Sequence, residues 1–350
     1  MPEARIYLDH AATTPLLPEA RAAVAEAFAS WHNPSSPHAE GRAAKAALED
    51  ARARIAAALS WHGKIVFTSG ASEAVAIALG RAHARARFVS AAEHDAVLRA
   101  APDAERLSLD EGGIADLSAV AGDRPLVAVQ HANNETGVIQ PLDRQIDEVR
   151  AKGGVFLADC AQTAGKLPLP QADMIAISAH KFGGPPGVGA LLVRDFALLE
   201  AVGGQEQGYR AGTENLPGIL GMAAALEAGR DWMREAQRLR ERLDAAIVGA
   251  GGEVVACPSA RIATIAAYRM PGVPSNVQLI QFDMAGCAVS AGSACSSGSL
   301  KSSRVLAAMG WGEAASQEVV RVSFGRTTVE SDIDRFAELW AGLAARRRAA

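Results

Sequence analysis

The chain has 350 residues, 49% of them apolar, and a formal net charge of −4. That length buries about three quarters of the unfolded surface, enough for one large core or two moderate ones, and the composition is globular. A broad basic face for nucleic acid is excluded, because the short basic cluster Arg346 to Arg348 stands at the C-terminal end. No apolar run spans a bilayer and the charged start MPEARIYLDH is not a signal peptide, so no membrane association and a cytoplasmic location are expected.

In chain order, Ile6 to Leu8 reads as a short strand, and Pro18 opens a helix to about Ala29, since proline loses nothing in a first turn. An Ala-, Arg- and Glu-rich stretch predicts a helix from Ala39 to Leu59. Apolar strands then alternate with helices. Ile65 to Phe67 precedes a helix at Ala71, Arg87 to Val89 one at His94, and Leu126 to Gln130 one at Asp143. Val155 to Ala158, Met174 to Ile177 and Gly189 to Val193 complete the set. Such alternation implies an α/β fold with a mostly parallel sheet covered on both faces. A long helical stretch is expected from Leu216 to about Val248, followed by the clearest punctuation in the chain, GAGG at 249–252. We place the domain boundary there. Residues 14–250 form the large domain, and 1–13 with 251–350 form a smaller α+β domain containing Ile262 to Tyr268, the Ser275 helix, the Ala288 strand, Val319 to Ser323 and the Ile333 helix.

The chemistry centres on Lys181, in the stretch MIAISAHKFGGPPGVGALLVR. A lone lysine at a strand end ordinarily snorkels to solvent. At the mouth of a buried strand it is poorly hydrated, which lowers its pKa and frees the amine to attack an aldehyde. Upstream lie a strand ending in Asp159 and a Gly-Ala-Ser helix start at 70–72. A strand ending in Asp, then a strand followed by Ser-x-His-Lys, is the pattern a pyridoxal phosphate site needs: a carboxylate for the pyridine nitrogen and a lysine for the aldehyde.

These motifs, with YLDHAATTP, HNPSSPHAEGRAAK, HANNETGVIQP, ADCAQTAGK, YRAGTEN and SAGSACSSGS, resemble the cysteine desulfurases of the NifS/IscS type, fold-type I pyridoxal phosphate enzymes of the class V aminotransferase family. The likeness runs from Tyr7 to about Arg326. It implies pyridoxal 5'-phosphate as cofactor and L-cysteine as substrate. Ala71 and Ser72 at a helix start, otherwise an ordinary N-cap, become phosphate contacts with Ser178 and His180. Thr213 is expected to reach the phosphate of the partner in a homodimer. His94, otherwise a satisfied helix-start histidine, becomes the residue stacked on the cofactor and a candidate acid/base. Asp159, otherwise a cap, becomes the pyridine-nitrogen partner. Gln162 and Asn134 fall on the cofactor's phenolic side, with Asn134 also near substrate. Arg326, otherwise a surface arginine, suits the substrate α-carboxylate.

Cys295 sits in a Gly- and Ser-rich run that favours a loop, where a thiolate can attack and carry sulfur away. The run resembles the long-loop branch of the family. Four cysteines make no disulfide framework and no C-x-x-C pair, so no resident metal is expected, although Cys295 could ligate a cluster transiently. Cys257 and Cys287 are assigned to apolar, structural surroundings. Cys160 departs from the family's usual Ala and adds a thiol beside Asp159; Pro186 stands where Lys is common. The implied reaction converts L-cysteine to L-alanine, with sulfur passing through Cys295 to an acceptor protein such as an iron–sulfur scaffold or a tRNA-thiolation carrier. The alternatives are a class V aminotransferase or lyase acting on another amino acid, and a non-catalytic sulfur carrier.

Overall fold

The computed structural model describes residues 5–29, 32–292 and 302–349. Its strands are β1 (Ile6–Tyr7), β2 (Lys64–Thr68), β3 (Ala86–Ser90), β4 (Glu105–Leu107), β5 (Pro125–Gln130), β6 (Val155–Asp159), β7 (Met174–Ser178), β8 (Gly189–Val193), β9 (Glu253–Val254), β10 (Ile265–Arg269), β11 (Cys287–Ala288) and β12 (Val319–Ser323). The α-helices are α1 (Pro18–Ala29), α2 (Ala39–Leu59), α3 (Ala71–Arg81), α4 (Asp95–Ala100), α5 (Leu142–Ala151), α6 (Leu216–Glu227), α7 (Met233–Gly249), α8 (Ser275–Met284), α9 (Arg304–Ala308), α10 (Glu313–Ser316) and α11 (Glu330–Ala349).

The main sheet has the order β2-β8-β7-β6-β5-β3-β4. Its β4, β3, β5, β6 and β7 pair in parallel, while β8 runs antiparallel to both β7 and β2. Every residue of β5, β7 and β8 is buried, as strands covered on both faces require. Alternation sorts each strand between two cores. Ile175 and Ile177 pack with Leu48 of α2 and Met222 of α6, whereas Met174 and Ala176 pack with Val75 and Leu79 of α3. The α/β class with a mostly parallel sheet is therefore the observed one.

A third core lies around the sheet β12-β10-β9 and contains Tyr268, Phe282, Phe336 and Trp340. β1 pairs in parallel with β11, which brings the N-terminal strand to this smaller unit. Leu239, Leu243 and Ile247 of α7, which precedes the GAGG punctuation, also belong to that core. The helical stretch expected from Leu216 to Val248 consists of two helices, α6 and α7. α6 ends at Glu227 and Gly229 takes φ +78°, a left-handed conformation that stops a helix. β4, at the sheet edge, is absent from the sequence-based expectation because Glu-Arg-Leu has no apolar pattern.

Candidate active site

The parallel strands end together, and Gln130 of β5 faces Asp159 of β6, which faces Ala176 of β7. Ligands in open α/β sheets sit beyond such carboxyl ends. A cavity of about 390 Å³ lies there, with Lys181, Asp159, His94, Gln162, Asn134, Ser178, His180, Ala71 and Ser72 all in its wall.

Lys181 closes a 3-10 turn, Ala179–Lys181, that follows β7 directly. Its Nζ donates to the carbonyls of Ala11 (2.7 Å) and Ala12 (2.8 Å). Gln162 Nε2 donates to the same Ala11 carbonyl at 2.9 Å, while its buried Oε1 has no protein partner. The neighbouring threonines grip the turn from the same side. Thr14 donates through its N–H to His180 O (2.8 Å) and through Oγ1 to Lys181 O (3.1 Å), and Thr13 Oγ1 lies 3.2 Å from His180 Nδ1. The motif YLDHAATTP thus braces the lysine from 170 residues away, a role that no local pattern in it announces. Burial and the Lys181 charge hold the His180 imidazole down at about 4. The same two causes bring Lys166, which unlike the half-buried Lys181 is buried, to about 7.

Asp159 ends β6, and its Oδ1 accepts the Ala161 N–H at 2.9 Å. Loss of hydration raises its carboxyl above the ordinary value, against the lowering pull of that hydrogen bond and of the His94 and Lys181 charges. His94 is the N-cap of α4, with Nδ1 accepting the Ala96 N–H at 3.1 Å. Burial lowers its pKa, so the ring is neutral and, with Nδ1 engaged as acceptor, its proton is on Nε2. Beneath them Glu93 is fully buried, its Oε1 accepting the Gln130 N–H at 2.7 Å. Burial first, and then the Asp159 charge, push its carboxyl well above the usual range.

The first-turn N–H groups of α3 face the cavity at Ala71 and Ser72, and the N-cap, Gly70, offers no side chain to satisfy them. Gly70 has φ +152° and ψ −179°, a region essentially restricted to glycine. A Cβ at the adjacent Gly189 would stand 2.4 Å from Ile177 O and 2.7 Å from Gly70 Cα. The close approach of β8 to this helix start, with Ser178 opposite, makes a concave, donor-rich rim suited to an anion.

Two expectations about the site require correction. Arg326 does not reach the cavity. Its Nη1 and Nη2 donate to Ala228 O (3.2 Å) and Gly229 O (2.6 Å) just past α6, and its guanidinium lies over Trp232. Carbonyls beyond a helix C-terminus attract a cation, and this one is committed there. The arginine in the cavity wall is Arg321, on β12, with a nearly buried side chain. It alternates inward on a strand whose neighbours are apolar, a charged interruption of VVRVS that could have singled it out. The cysteines also divide differently from expectation. Cys287 is buried, with its thiol pushed up to about 11, but Cys257 is exposed. Cys160, fully buried, points away from the cavity into the core with Phe156 and Ile175, and burial pushes its thiol far up. Cys295 lies outside the described residues. Thr213 is exposed on the loop before α6 and is not in this cavity wall.

Among the described residues no group of three or more His, Cys, Asp or Glu is arranged to hold a metal, and no helix is long and apolar enough to cross a membrane. The family model Aminotransferase class-V matches residues 6–336. A cysteine desulfurase from Rhodobacter capsulatus is 37% identical over 96% of this chain and 95% of its own. Cysteine desulfurase 2 of Trichormus variabilis is 34% identical over 98% of this chain and 94% of its own. Among solved structures, a NifS-like protein from Rickettsia africae superposes with a TM-score of 0.89 at 28% identity, covering 97% of this chain and 99% of the other. The chain belongs to the aminotransferase class-V family, and within it to the cysteine desulfurases.

Proposed function

We propose that this protein is a pyridoxal 5'-phosphate-dependent cysteine desulfurase that converts L-cysteine to L-alanine and passes the sulfur through Cys295 to an acceptor protein. The observation that carries the reading is the convergence of Lys181, Asp159 and Arg321 on one cavity: an amine, a carboxylate and a carboxylate-binding fork. The lining fits the cofactor on its own terms. The rim at Ala71, Ser72, Ser178 and His180 suits a phosphate, and the unpartnered Gln162 Oε1 lacks only a donor. Asp159 suits a protonated pyridine nitrogen, since a bound cation would bring its raised carboxyl back to the charged form.

When bound, pyridoxal phosphate supplies the electron sink that makes the α-proton of an amino acid acidic. The chain's own residues do the rest. Arg321 binds the α-carboxylate with Asn134 beside it, and Lys181 takes the α-proton. Neutral His94, on the cavity wall, has one exchangeable proton on Nε2 for transfer. The Cys295 thiolate attacks the substrate sulfur. A new S–S bond forms as the Cβ–S bond breaks, and its electron pair stays on Cβ, which is then protonated to the methyl of alanine.

A homodimer in which Thr213 contacts the partner's phosphate is part of this reading, as are a cytoplasmic location and an acceptor such as an iron–sulfur scaffold. In support, the Thr213 loop is exposed yet anchored at Glu206. The direct test is incubation of the purified protein with L-cysteine and an excess of a dithiol reductant, which releases the persulfide sulfur as sulfide, measuring alanine and sulfide. Equal release of both supports the reading. Transamination products without sulfide would replace it with an aminotransferase, and a colourless protein that only carries sulfur would remove the enzyme altogether.

A further inference from the structure

The chain that carries Cys295 leaves and re-enters the described fold beside the cavity. On the near side, Ser290 and Arg321 exchange backbone hydrogen bonds, with Arg321 N–H donating to Ser290 O (2.6 Å) and Ser290 N–H to Arg321 O (3.2 Å). On the far side, Ser303 Oγ donates to Glu135 Oε2 at 2.6 Å, and both residues are buried. The same Oγ accepts the Leu306 N–H at 3.1 Å as the cap of α9. Arg304, next in sequence, pairs with Asp95, the neighbour of His94.

The contacts close a ring. Arg321 Nη1 donates to Asn134 O at 3.0 Å, and Asn134 precedes Glu135 in the chain. Glu135 is itself fixed, because Asn133 Oδ1 accepts the N–H groups of Glu135 (2.9 Å) and Thr136 (2.8 Å). Ser303 could cap α9 without any carboxylate, whereas burying one is costly unless it is hydrogen-bonded. A buried acid spent on a helix cap implies that the location of that cap matters.

We propose that Glu135 is a positioning residue for sulfur transfer: through Ser303 it sets where the Cys295-bearing chain rejoins the fold relative to Asn134 and Arg321. The inference rests on the proposed role of Cys295. Attack at a substrate sulfur needs the thiolate in line with the Cβ–S bond, and a displacement near 1 Å costs about 100-fold in rate. What Ser303 requires from Glu135 is an acceptor oxygen, which a glutamine also offers.

The test is single-turnover mixing of the holoenzyme with L-cysteine, following two signals: the change in the cofactor's visible spectrum, and persulfide on the Cys295 peptide by mass spectrometry. Glu135→Ala and Ser303→Ala should keep the spectral change at near wild-type rate and slow persulfide formation about 10–100-fold. Glu135→Gln and Ser303→Thr should restore it to within about threefold, and the double alanine variant should be no slower than the slower single one. If either alanine variant forms persulfide at the wild-type rate, or loses the spectral change in equal proportion, the proposal is wrong. Should Glu135→Ala fail to fold, Ser303→Ala and Ser303→Thr decide alone. A wild-type enzyme that places no persulfide on Cys295 overturns the parent reading instead, which these variants cannot mimic.

Discussion

Arg321 and Asp9 form an ion pair across 312 residues of sequence, Nη2 to Oδ1 at 2.7 Å. Together with Asn134 O at Nη1, this contact orients the guanidinium and leaves its buried Nε without a protein partner. A fixed fork with an unused donor is prepared for a second carboxylate.

Arg321→Ala should therefore raise KM for cysteine about 10–100-fold, the loss expected for charge-assisted hydrogen bonds. Arg326→Ala should leave KM unchanged and lower only stability, through the lost carbonyl contacts near Gly229. Steady-state kinetics of the two variants side by side decide between the arginines, and equal KM effects would contradict the assignment.

Lys181→Ala should abolish turnover while the phosphate rim still permits cofactor to bind. Borohydride reduction of wild-type holoenzyme followed by peptide mapping should label Lys181. The informative control is Lys166→Met, which removes the buried lysine near Lys181 and should leave that labelling intact. A label on Lys166 would displace Lys181 from its role.

The loop bearing Thr213 is tied down by Glu206, which is nearly buried and accepts from Arg52 Nη1 (2.8 Å), Arg52 Nη2 (2.9 Å) and the Phe67 N–H (2.8 Å). Glu206→Ala removes one of two carboxylates from the mostly buried Arg52, which keeps Glu49 at 3.0 Å, and should cost about 1.5–3 kcal/mol in denaturant unfolding. If Thr213 completes a partner's site, the same variant should also weaken cofactor retention. A cost below about 1 kcal/mol would show the pair to behave as an exposed one.

His131 is held down at about 4 by burial, against an ordinary value of 6.5. The unfolded state then binds more protons between those values, so the group's contribution is full above 6.5 and is lost as pH falls toward 4. The stability of wild type relative to His131→Gln should decline from pH 7 to pH 5. A difference that is constant or grows on acidification would contradict the burial of a neutral ring.

The inner strands of the sheet are readable from sequence because β5, β7 and β8 are nearly continuous apolar runs, and β8 is bounded by glycine on one side and Arg194 on the other. Lys181, Asp159 and Ser178 are legible because each ends or follows a buried strand, where a polar residue breaks the run. Arg321 is harder to read because it lies within a strand, and only the long-range pairing of β12 with Asp9 and Ser290 shows which way it faces. The bracing of Lys181 by Ala11 and Ala12 is equally hidden, since it uses main-chain carbonyls that any residue supplies. Cys257 misleads because cysteine is buried on average, and an average does not place one thiol in a loop.

The central claim is that sulfur leaves the substrate on Cys295. Wild-type enzyme treated with L-cysteine, trapped with a thiol-alkylating reagent and digested should carry one extra sulfur on the Cys295 peptide, and Cys295→Ser should lose both that mass and sulfide release while keeping its cofactor spectrum. Exposed Cys257 should be alkylated without extra sulfur, and buried Cys160 should resist the reagent until the protein unfolds. Extra sulfur on Cys257 or Cys160, or near-normal desulfuration by Cys295→Ser, would contradict it.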